Sequence, residues 1–168
     1  MATLVTYREG STMARVIIAD DHPLFRAALK QALTETLSAP ILEAESFEQL
    51  LALIDSHPHV ELVLLDLTMP GNRGLTGLTS LRSRYPDILV VVVSANEQLA
   101  TIRQAMAFGA SAYIPKSMPL AELQAAIHSV LAGDTWLPAD IKQAVTQAAD
   151  DDYVEFAGRL EQLTPQQF

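Results

Sequence analysis

The sequence predicts an α/β protein built on a parallel, doubly wound sheet. The chain has 168 residues, in which short apolar segments alternate with amphipathic segments of helical periodicity. Strands that alternate with helices form parallel sheets, because each helical crossover returns the chain to the same edge. The apolar run 88–93 lacks polar alternation, which is typical of a strand covered by helices on both faces. The length allows one domain of ordinary size and a short appendage.

The first part of the chain contains two predicted pairs of strand and helix. Residues 15–19 form an apolar run that ends in two aspartates, which predicts a buried strand. The helical stripe 23–37 follows, with Pro23 in the first turn, where its missing N–H costs no hydrogen bond. A second strand is predicted over 41–45, and Ser46 is the expected N-cap of the next helix.

The second part of the chain continues the same alternation. A Pro-Gly turn at 70–71 separates the third strand from the third helix, and Gly109 and Gly133 end two later helices. The predicted elements are a strand at 62–65, a helix at 75–85, a strand at 88–93, a helix at 97–108, a strand at 111–114 and a helix at 119–132.

The composition excludes several classes of protein. Without cysteine, the chain has no disulfide, thiolate metal site or thiol nucleophile. The 11 Lys and Arg residues are not clustered and face 20 Asp and Glu residues, so a formal charge of −9 predicts no tight binding of nucleic acid. Residues 1–12 lack the pattern of a signal peptide, and the longest aliphatic run, 88–93, is far shorter than the roughly 20 residues of a membrane span. We therefore expect a cytoplasmic protein that contacts no membrane.

Polar side chains follow four of the predicted strands. Asp20 and Asp21 come after the first strand, Asp66 after the third, Ser94 after the fourth and Lys116 after the fifth. In doubly wound sheets the ligand site lies beyond the carboxyl ends of the strands, so these side chains are expected to meet. Grouped carboxylates repel one another, and a hard divalent cation such as Mg²⁺ removes that repulsion. A lysine and a hydroxyl nearby suit an anion such as a phosphoryl group.

Three segments at strand ends carry a family resemblance. They are 20–24 (DDHPL), 66–71 (DLTMPG) and 109–117 (GASAYIPKS), and in this order they resemble receiver domains of two-component response regulators of the NarL/FixJ subgroup. The resemblance covers residues 14–132. It implies a flavodoxin-like (βα)5 fold with a five-stranded parallel sheet of order 2-1-3-4-5, followed here by a helical C-terminal linker.

The resemblance assigns the charged residues their roles. It implies that Asp66 accepts a phosphoryl group from a histidine kinase as an acyl phosphate. Mg²⁺ would be held by Asp20, Asp21 and Asp66, together with the backbone carbonyl of Thr68. Lys116 would pair with Asp66 at rest and with the phosphoryl oxygens afterwards. Phosphoryl transfer needs positioning and charge neutralisation more than covalent help from the protein, so these groups suit the reaction.

The uncharged residues receive a switching role from the same resemblance. The Ser94 hydroxyl would turn inward to hydrogen-bond the phosphoryl group, and Tyr113 would follow into the vacated space. Thr68 and Asn96 occupy positions that tune how fast the phosphoryl group is lost. The domain would therefore be a self-phosphorylating switch with slow autodephosphorylation rather than an enzyme.

The resemblance also organises the rest of the chain. Residues 1–13 are expected to be an N-terminal extension, 14–132 the receiver domain and 133–162 a helical linker. The final segment, 163–168 (LTPQQF), resembles the start of a LuxR-type helix-turn-helix domain, which predicts a truncated transcription regulator. The missing domain would then contact DNA, and phosphorylation would favour a homodimer that matches paired half-sites.

Two other functions compete with a phosphorylation switch. One is a phosphorylation-independent interaction module that keeps the site as a vestige. The other is a Mg²⁺-dependent phosphohydrolase, which uses similar carboxylates. A phosphohydrolase needs an acid/base aspartate two residues after the nucleophile, and Thr68 stands there instead.

One peptide bond departs from the family pattern. Receivers commonly have a proline joined by a cis bond after the strand-end lysine, whereas here Ser117 follows Lys116 and Pro115 precedes it. A cis bond before a residue other than proline costs about 2.5 to 4 kcal/mol. Both isomers of the Lys116–Ser117 bond stay open at the level of sequence.

Overall fold

The computed structural model describes residues 15–37 and 40–147. The strands are β1 (Val16–Ala19), β2 (Ile41–Ala44), β3 (Leu62–Leu65), β4 (Leu89–Ser94) and β5 (Ala112–Pro115). The helices between and after them are α1 (Pro23–Thr36), α2 (Phe47–Ser56), α3 (Thr76–Arg84), α4 (Leu99–Ala107) and α5 (Leu120–Leu131). All strand pairs are parallel and the order is β2-β1-β3-β4-β5, so the predicted fold class and topology are confirmed.

The chain divides into two compact units between Trp136 and Leu137. The sheet and helices α1 to α5 belong to the first unit. In the second unit, residues 139–147 are helical, in the stretch where a helical linker is expected. The predicted N-terminal extension, the end of the linker and the segment 163–168 lie outside the described residues. None of the helices in the described ranges is long and apolar enough to cross a membrane.

Both faces of the sheet are covered, as the lack of polar alternation predicts. Side chains on alternate strand positions point to opposite faces. On one face Ile18, Leu64 and Ile114 pack with Leu33 of α1 and Ile127 of α5 in a continuous apolar cluster. The strand residues between them are equally buried, and β1 and β3 are buried along their whole length. The central strands therefore form a rigid base whose carboxyl ends can hold polar side chains in fixed positions.

Most element boundaries lie within one residue of the sequence prediction, and the differences around Ser94 bear on the site. Ser94 is the last residue of β4 rather than the residue after it, and the helix predicted at 97–108 begins only at Leu99. The reason is local: the Ser94 Oγ accepts the Asn96 N–H at 3.1 Å, and the Asn96 Oδ1 accepts the Gln98 N–H at 2.9 Å. Side-chain turns of this kind compete with helical hydrogen bonds, so α4 starts two residues late.

The chain after α5 returns to the free edge of the sheet. Trp136 makes an isolated parallel bridge with Ala112, and its N–H donates to the Ser111 carbonyl at 2.9 Å. The Tyr113 N–H donates to the Trp136 carbonyl at 3.4 Å. An edge strand with unpaired backbone groups invites wrong pairing, so this segment protects β5.

The Lys116–Ser117 peptide bond is trans. Cis bonds are absent among all the residues that the structure describes. This resolves the choice between the two isomers that the sequence leaves open.

Candidate functional site

The carboxyl ends of β1, β3 and β5 hold the predicted site residues in the register of the sheet. The Asp20 N–H donates to the Ala44 carbonyl at 3.0 Å, and the Asp66 N–H donates to the Ala19 carbonyl at 2.9 Å. In the same way the Lys116 N–H donates to the Ser94 carbonyl at 2.9 Å. The backbone ladder thus continues one residue past these three strands and fixes three charged side chains at one edge.

The Asp66 carboxylate is buried and held by the loop that follows it. Only 1% of the surface of Asp66 is exposed to solvent. Thr68 donates its backbone N–H to Asp66 Oδ1 at 3.1 Å, and its hydroxyl lies 3.0 and 3.2 Å from the two carboxylate oxygens. The Asn72 side chain donates to the Asp66 carbonyl at 3.1 Å and accepts the Gly77 N–H of α3 at 3.0 Å. Hydrogen bonds therefore hold Asp66 both at its carboxylate and at its backbone carbonyl.

Lys116 is the cation that faces these carboxylates. Its Nζ lies 2.8 Å from Asp20 Oδ2 and 3.4 Å from Asp66 Oδ2, and the ammonium also sits 4.7 Å from the centre of the Phe25 ring. Attraction to the ring face adds to the stabilisation of the ammonium. One ammonium group serves two buried carboxylates, so negative charge remains in excess at this edge.

The carboxylates form a cluster with the geometry and chemistry of a divalent-cation site. Ligand atoms of Asp20, Asp21, His22 and Asp66 all lie within 4.8 Å of one another. Asp20 Oδ2 and Asp21 Oδ1 are buried, and each has one close polar neighbour among the described residues. The Lys116 ammonium lies 2.8 Å from Asp20 Oδ2, and His22 Nδ1 lies 3.2 Å from Asp21 Oδ1. These contacts leave lone pairs of the carboxylate oxygens unused, because a carboxylate can accept about four hydrogen bonds. Carboxylate oxygens are the ligands that Mg²⁺ prefers, and the predicted donor set fits that ion.

The uncharged site residues form a second network beside this cluster. Ser94 is fully buried, and the Tyr113 hydroxyl donates to the Asn96 carbonyl at 2.6 Å. Burial raises the pKa of the Tyr113 phenol, the charges of Glu97 and Asp66 add to this, and a hydrogen bond with Ser94 acts in the opposite direction. The Tyr113 ring is already inside the protein. The Asn96 side chain does not point to the carboxylates, since it contacts Gln98 and Thr101 at the start of α4.

The comparison with known families agrees with this geometry. The family model described as the response regulator receiver domain matches residues 16–128. The chain belongs to this family. The chain is 38% identical over 152 residues to the glycerol metabolism activator of Pseudomonas putida, and the match covers 90% of this chain and 69% of that protein. It is 30% identical over 155 residues to the nitrate/nitrite response regulator protein NarL of Escherichia coli K12, covering 92% of this chain and 71% of the relative.

A solved structure supports the same assignment. The LuxR family DNA-binding response regulator from Silicibacter pomeroyi matches this receiver domain with a TM-score of 0.66 and 32% identity. The match covers 76% of this chain and 98% of that one. With NarL among the sequence relatives, the resemblance to receiver domains of the NarL/FixJ subgroup is confirmed.

A groove lies between α3 and α4. Its volume is about 530 Å³, and Thr68, Ser94 and Phe108 are among the residues that line it. Ser94 and the loop after Asp66 therefore border the same groove, although Ser94 itself has no exposed surface.

His22 is the site residue that the sequence analysis missed. Its Nδ1 lies 2.9 Å from Asp20 Oδ1 and 3.1 Å from Lys116 Nζ, within the carboxylate cluster. The feature of the sequence that could have identified His22 is its position directly after Asp21, at the N-cap of α1. The hydrogen bonds from the Thr68 hydroxyl to Asp66 were also not predicted. The resemblance implies for Thr68 only a backbone carbonyl ligand and a position that tunes how fast the phosphoryl group is lost. The predicted use of the Thr68 carbonyl as a metal ligand stays a prediction.

Proposed function

We propose that this receiver domain accepts a phosphoryl group on Asp66 and thereby switches the activity of a C-terminal DNA-binding domain. The observation that carries this proposal is the position of the Asp66 carboxylate. It is buried at a strand end, 3.4 Å from the Lys116 ammonium and inside a cluster of further carboxylates. A nucleophile for phosphoryl transfer needs positioning and charge neutralisation. The Thr68 and Asn72 hydrogen bonds position Asp66, and Lys116 together with a bound cation would neutralise the charge.

The transfer would begin on a phosphohistidine of a sensor histidine kinase. An oxygen of the Asp66 carboxylate attacks the phosphorus, a P–O bond forms, and the P–N bond to the histidine breaks. The electron pair of the P–N bond stays on the imidazole nitrogen, which takes up a proton from water. The product is an acyl phosphate on Asp66, and Lys116 is close enough to pair with its oxygens.

Three carboxylates of the cluster would hold Mg²⁺ during this step. Asp20, Asp21 and Asp66 supply the oxygens, with the Thr68 carbonyl as a further ligand. The bound cation would neutralise negative charge on the phosphoryl oxygens. The close grouping of these carboxylates, which share a single ammonium group, supports this assignment.

The switch would pass from Asp66 to Ser94 and Tyr113. Phosphorylation adds up to about two negative charges, which attract a hydroxyl donor. Ser94 and Thr68 line the same groove and Thr68 contacts Asp66, so the Ser94 hydroxyl would rotate towards a phosphoryl group at that place. Because Ser94 and Tyr113 both bond to Asn96, a change at Ser94 would alter the support of the loop before α4. Such a change can bias α4 and β5 between two arrangements, while Thr68 and Asn96 set how slowly the phosphoryl group is lost.

The whole protein would be a transcription regulator. This chain spans 69% of the glycerol metabolism activator and 71% of NarL, and the solved relative is described as a DNA-binding response regulator. By analogy with these proteins, a DNA-binding domain would follow the receiver domain and phosphorylation would favour a homodimer. The kinase and the receiver would meet in the cytoplasm.

Intact-mass spectrometry after incubation with acetyl phosphate and Mg²⁺ tests the proposal. We expect the wild-type chain to gain one phosphoryl group, because Asp66 is the positioned nucleophile. Asp66→Asn should gain none, and EDTA should abolish the gain in the wild type. Asp87→Asn, which changes an exposed aspartate in the loop before β4, is the matched control and should behave like the wild type.

Two outcomes would contradict the proposal. No gain under conditions that phosphorylate another receiver would favour the phosphorylation-independent interaction module. A gain that persists in Asp66→Asn would mean that a different residue is the nucleophile.

A further inference from the structure

We propose that His22 is a direct ligand of the divalent cation through its Nδ1, so that the site also takes first-row transition metals. This inference rests on the proposed cation site and adds a nitrogen donor to its carboxylates. Imidazole is a good ligand for transition metals such as Co²⁺ and Zn²⁺, whereas Mg²⁺ gains little from it.

The distances around His22 Nδ1 fit a shared coordination shell. The nitrogen lies 2.9 Å from Asp20 Oδ1, 3.2 Å from Asp21 Oδ1 and 3.6 Å from Asp66 Oδ2. Neighbouring ligands of an octahedral ion with bonds of about 2.1 Å are separated by about 3 Å. The nitrogen therefore stands where the next ligand of a cation held by these carboxylates would stand.

The backbone fixes His22 at this place. Its N–H donates to Asp20 Oδ1 at 2.8 Å, which closes a turn between the end of β1 and the start of α1. Pro23 follows at the first helical position, which further restricts the chain. The His22 side chain is nevertheless 59% exposed, so this side of the cluster borders solvent.

His22 Nδ1 has both donors and acceptors as neighbours. Lys116 Nζ, which can only donate, lies 3.1 Å away, and the carboxylate oxygens of Asp20, Asp21 and Asp66 surround the other side of the nitrogen. A divalent cation among these groups would be held by the nitrogen and by the carboxylates together.

Pulsed electron paramagnetic resonance of Mn²⁺ added to the chain tests the ligation directly. The spectrum of bound Mn²⁺ should contain nuclear modulation from a coordinated imidazole nitrogen, and ¹⁵N labelling of histidine side chains should change its frequency. His22→Ala and His22→Gln should both lose the modulation while Mn²⁺ stays bound through the carboxylates. His59→Ala is the control, since His59 is exposed in the loop before β3, at the other end of the sheet.

Calorimetric titration gives an independent readout of the same ligand. We expect the dissociation constant of Co²⁺ to rise about tenfold in His22→Ala and that of Mg²⁺ to change by less than about threefold. Cation binding without nitrogen modulation, and with unchanged Co²⁺ affinity in His22→Ala, would overturn this inference and leave the proposed function intact. Absence of Co²⁺, Mn²⁺ and Mg²⁺ binding by the wild type would overturn both.

Discussion

Asp20 and Asp66 are acidic residues at buried positions where an uncharged residue would make the protein more stable. Each is about 1% exposed, and the two share a single ammonium group. Burying a charge is costly unless it is paired and hydrogen-bonded, and like charges that lie close together add to this cost. The Thr68 hydrogen bonds and the Phe25 ring reduce the cost without removing it. These two aspartates therefore lower the stability of the fold, which is the cost that the proposed binding of a cation and a phosphoryl group would entail.

The Tyr113 hydroxyl makes a testable contribution to stability at high pH. Because burial raises the pKa of this phenol, the folded protein holds the proton more tightly than the unfolded chain. The resulting stability is present in full below the unfolded pKa of about 10 and is lost as the pH rises through the folded pKa. We expect the free energy of unfolding to fall more steeply above about pH 10 in the wild type than in Tyr113→Phe.

Urea denaturation at a series of pH values between neutral and alkaline measures this difference. Tyr85→Phe is the comparison variant, because a hydrogen bond to Asp55 raises the pKa of Tyr85 as well but its hydroxyl is exposed. Its effect on the slope should be smaller. Parallel curves for wild type and Tyr113→Phe would show that the buried phenol is not linked to folding in this way.

The segment from the end of β3 to α3 shows how an element positions the nucleophile. Gly77 lies in α3, and a Cβ there would come within 2.6 Å of Asn72 Oδ1. The same Asn72 side chain holds the Asp66 carbonyl. A glycine inside a helix normally weakens it, so this glycine is explained by the close approach of Asn72 rather than by helix formation. Asn72 thus links α3 to the loop after β3, and Gly77 leaves the space that this link needs.

Gly77→Ala should therefore change the free energy of unfolding in the opposite direction to an ordinary glycine-to-alanine substitution in a helix. An alanine in place of glycine usually stabilises a helix by about 1 kcal/mol. Here we expect the free energy of unfolding to fall by about 1 to 3 kcal/mol, because the new methyl group displaces Asn72. We also expect slower phosphorylation by acetyl phosphate, since Asp66 loses a backbone support.

Denaturant unfolding and intact-mass time courses check the two effects together. Ser83→Ala, at an exposed position of the same helix, is the control. It should leave both the free energy of unfolding and the rate of phosphorylation nearly unchanged. An increase in stability for Gly77→Ala would contradict the role given to Asn72.

For the whole molecule, the sequence predicted the sheet, its helices and the edge that carries the charged residues. This worked because strand ends in a parallel sheet meet at one edge, so Asp20, Asp66 and Lys116 could be placed together from their positions alone. The late start of α4 was not predictable from apolar periodicity, because it depends on the side-chain turns of Ser94 and Asn96. The place of His22 in the cluster depends on how the chain turns after β1, which a motif does not record.

The position of the phosphoryl group on the molecule can be measured by chemical trapping. The chain is incubated with acetyl phosphate and Mg²⁺ and then treated with borohydride, which reduces an acyl phosphate to an alcohol and so marks the carboxylate that carried it. Peptide mass spectrometry should find the reduced side chain at the position of Asp66 and at no other acidic residue. Reduction at the position of Asp20 or Asp21 instead, or a phosphoryl group that resists borohydride because it sits on His22, would contradict the assignment of Asp66 as the acceptor.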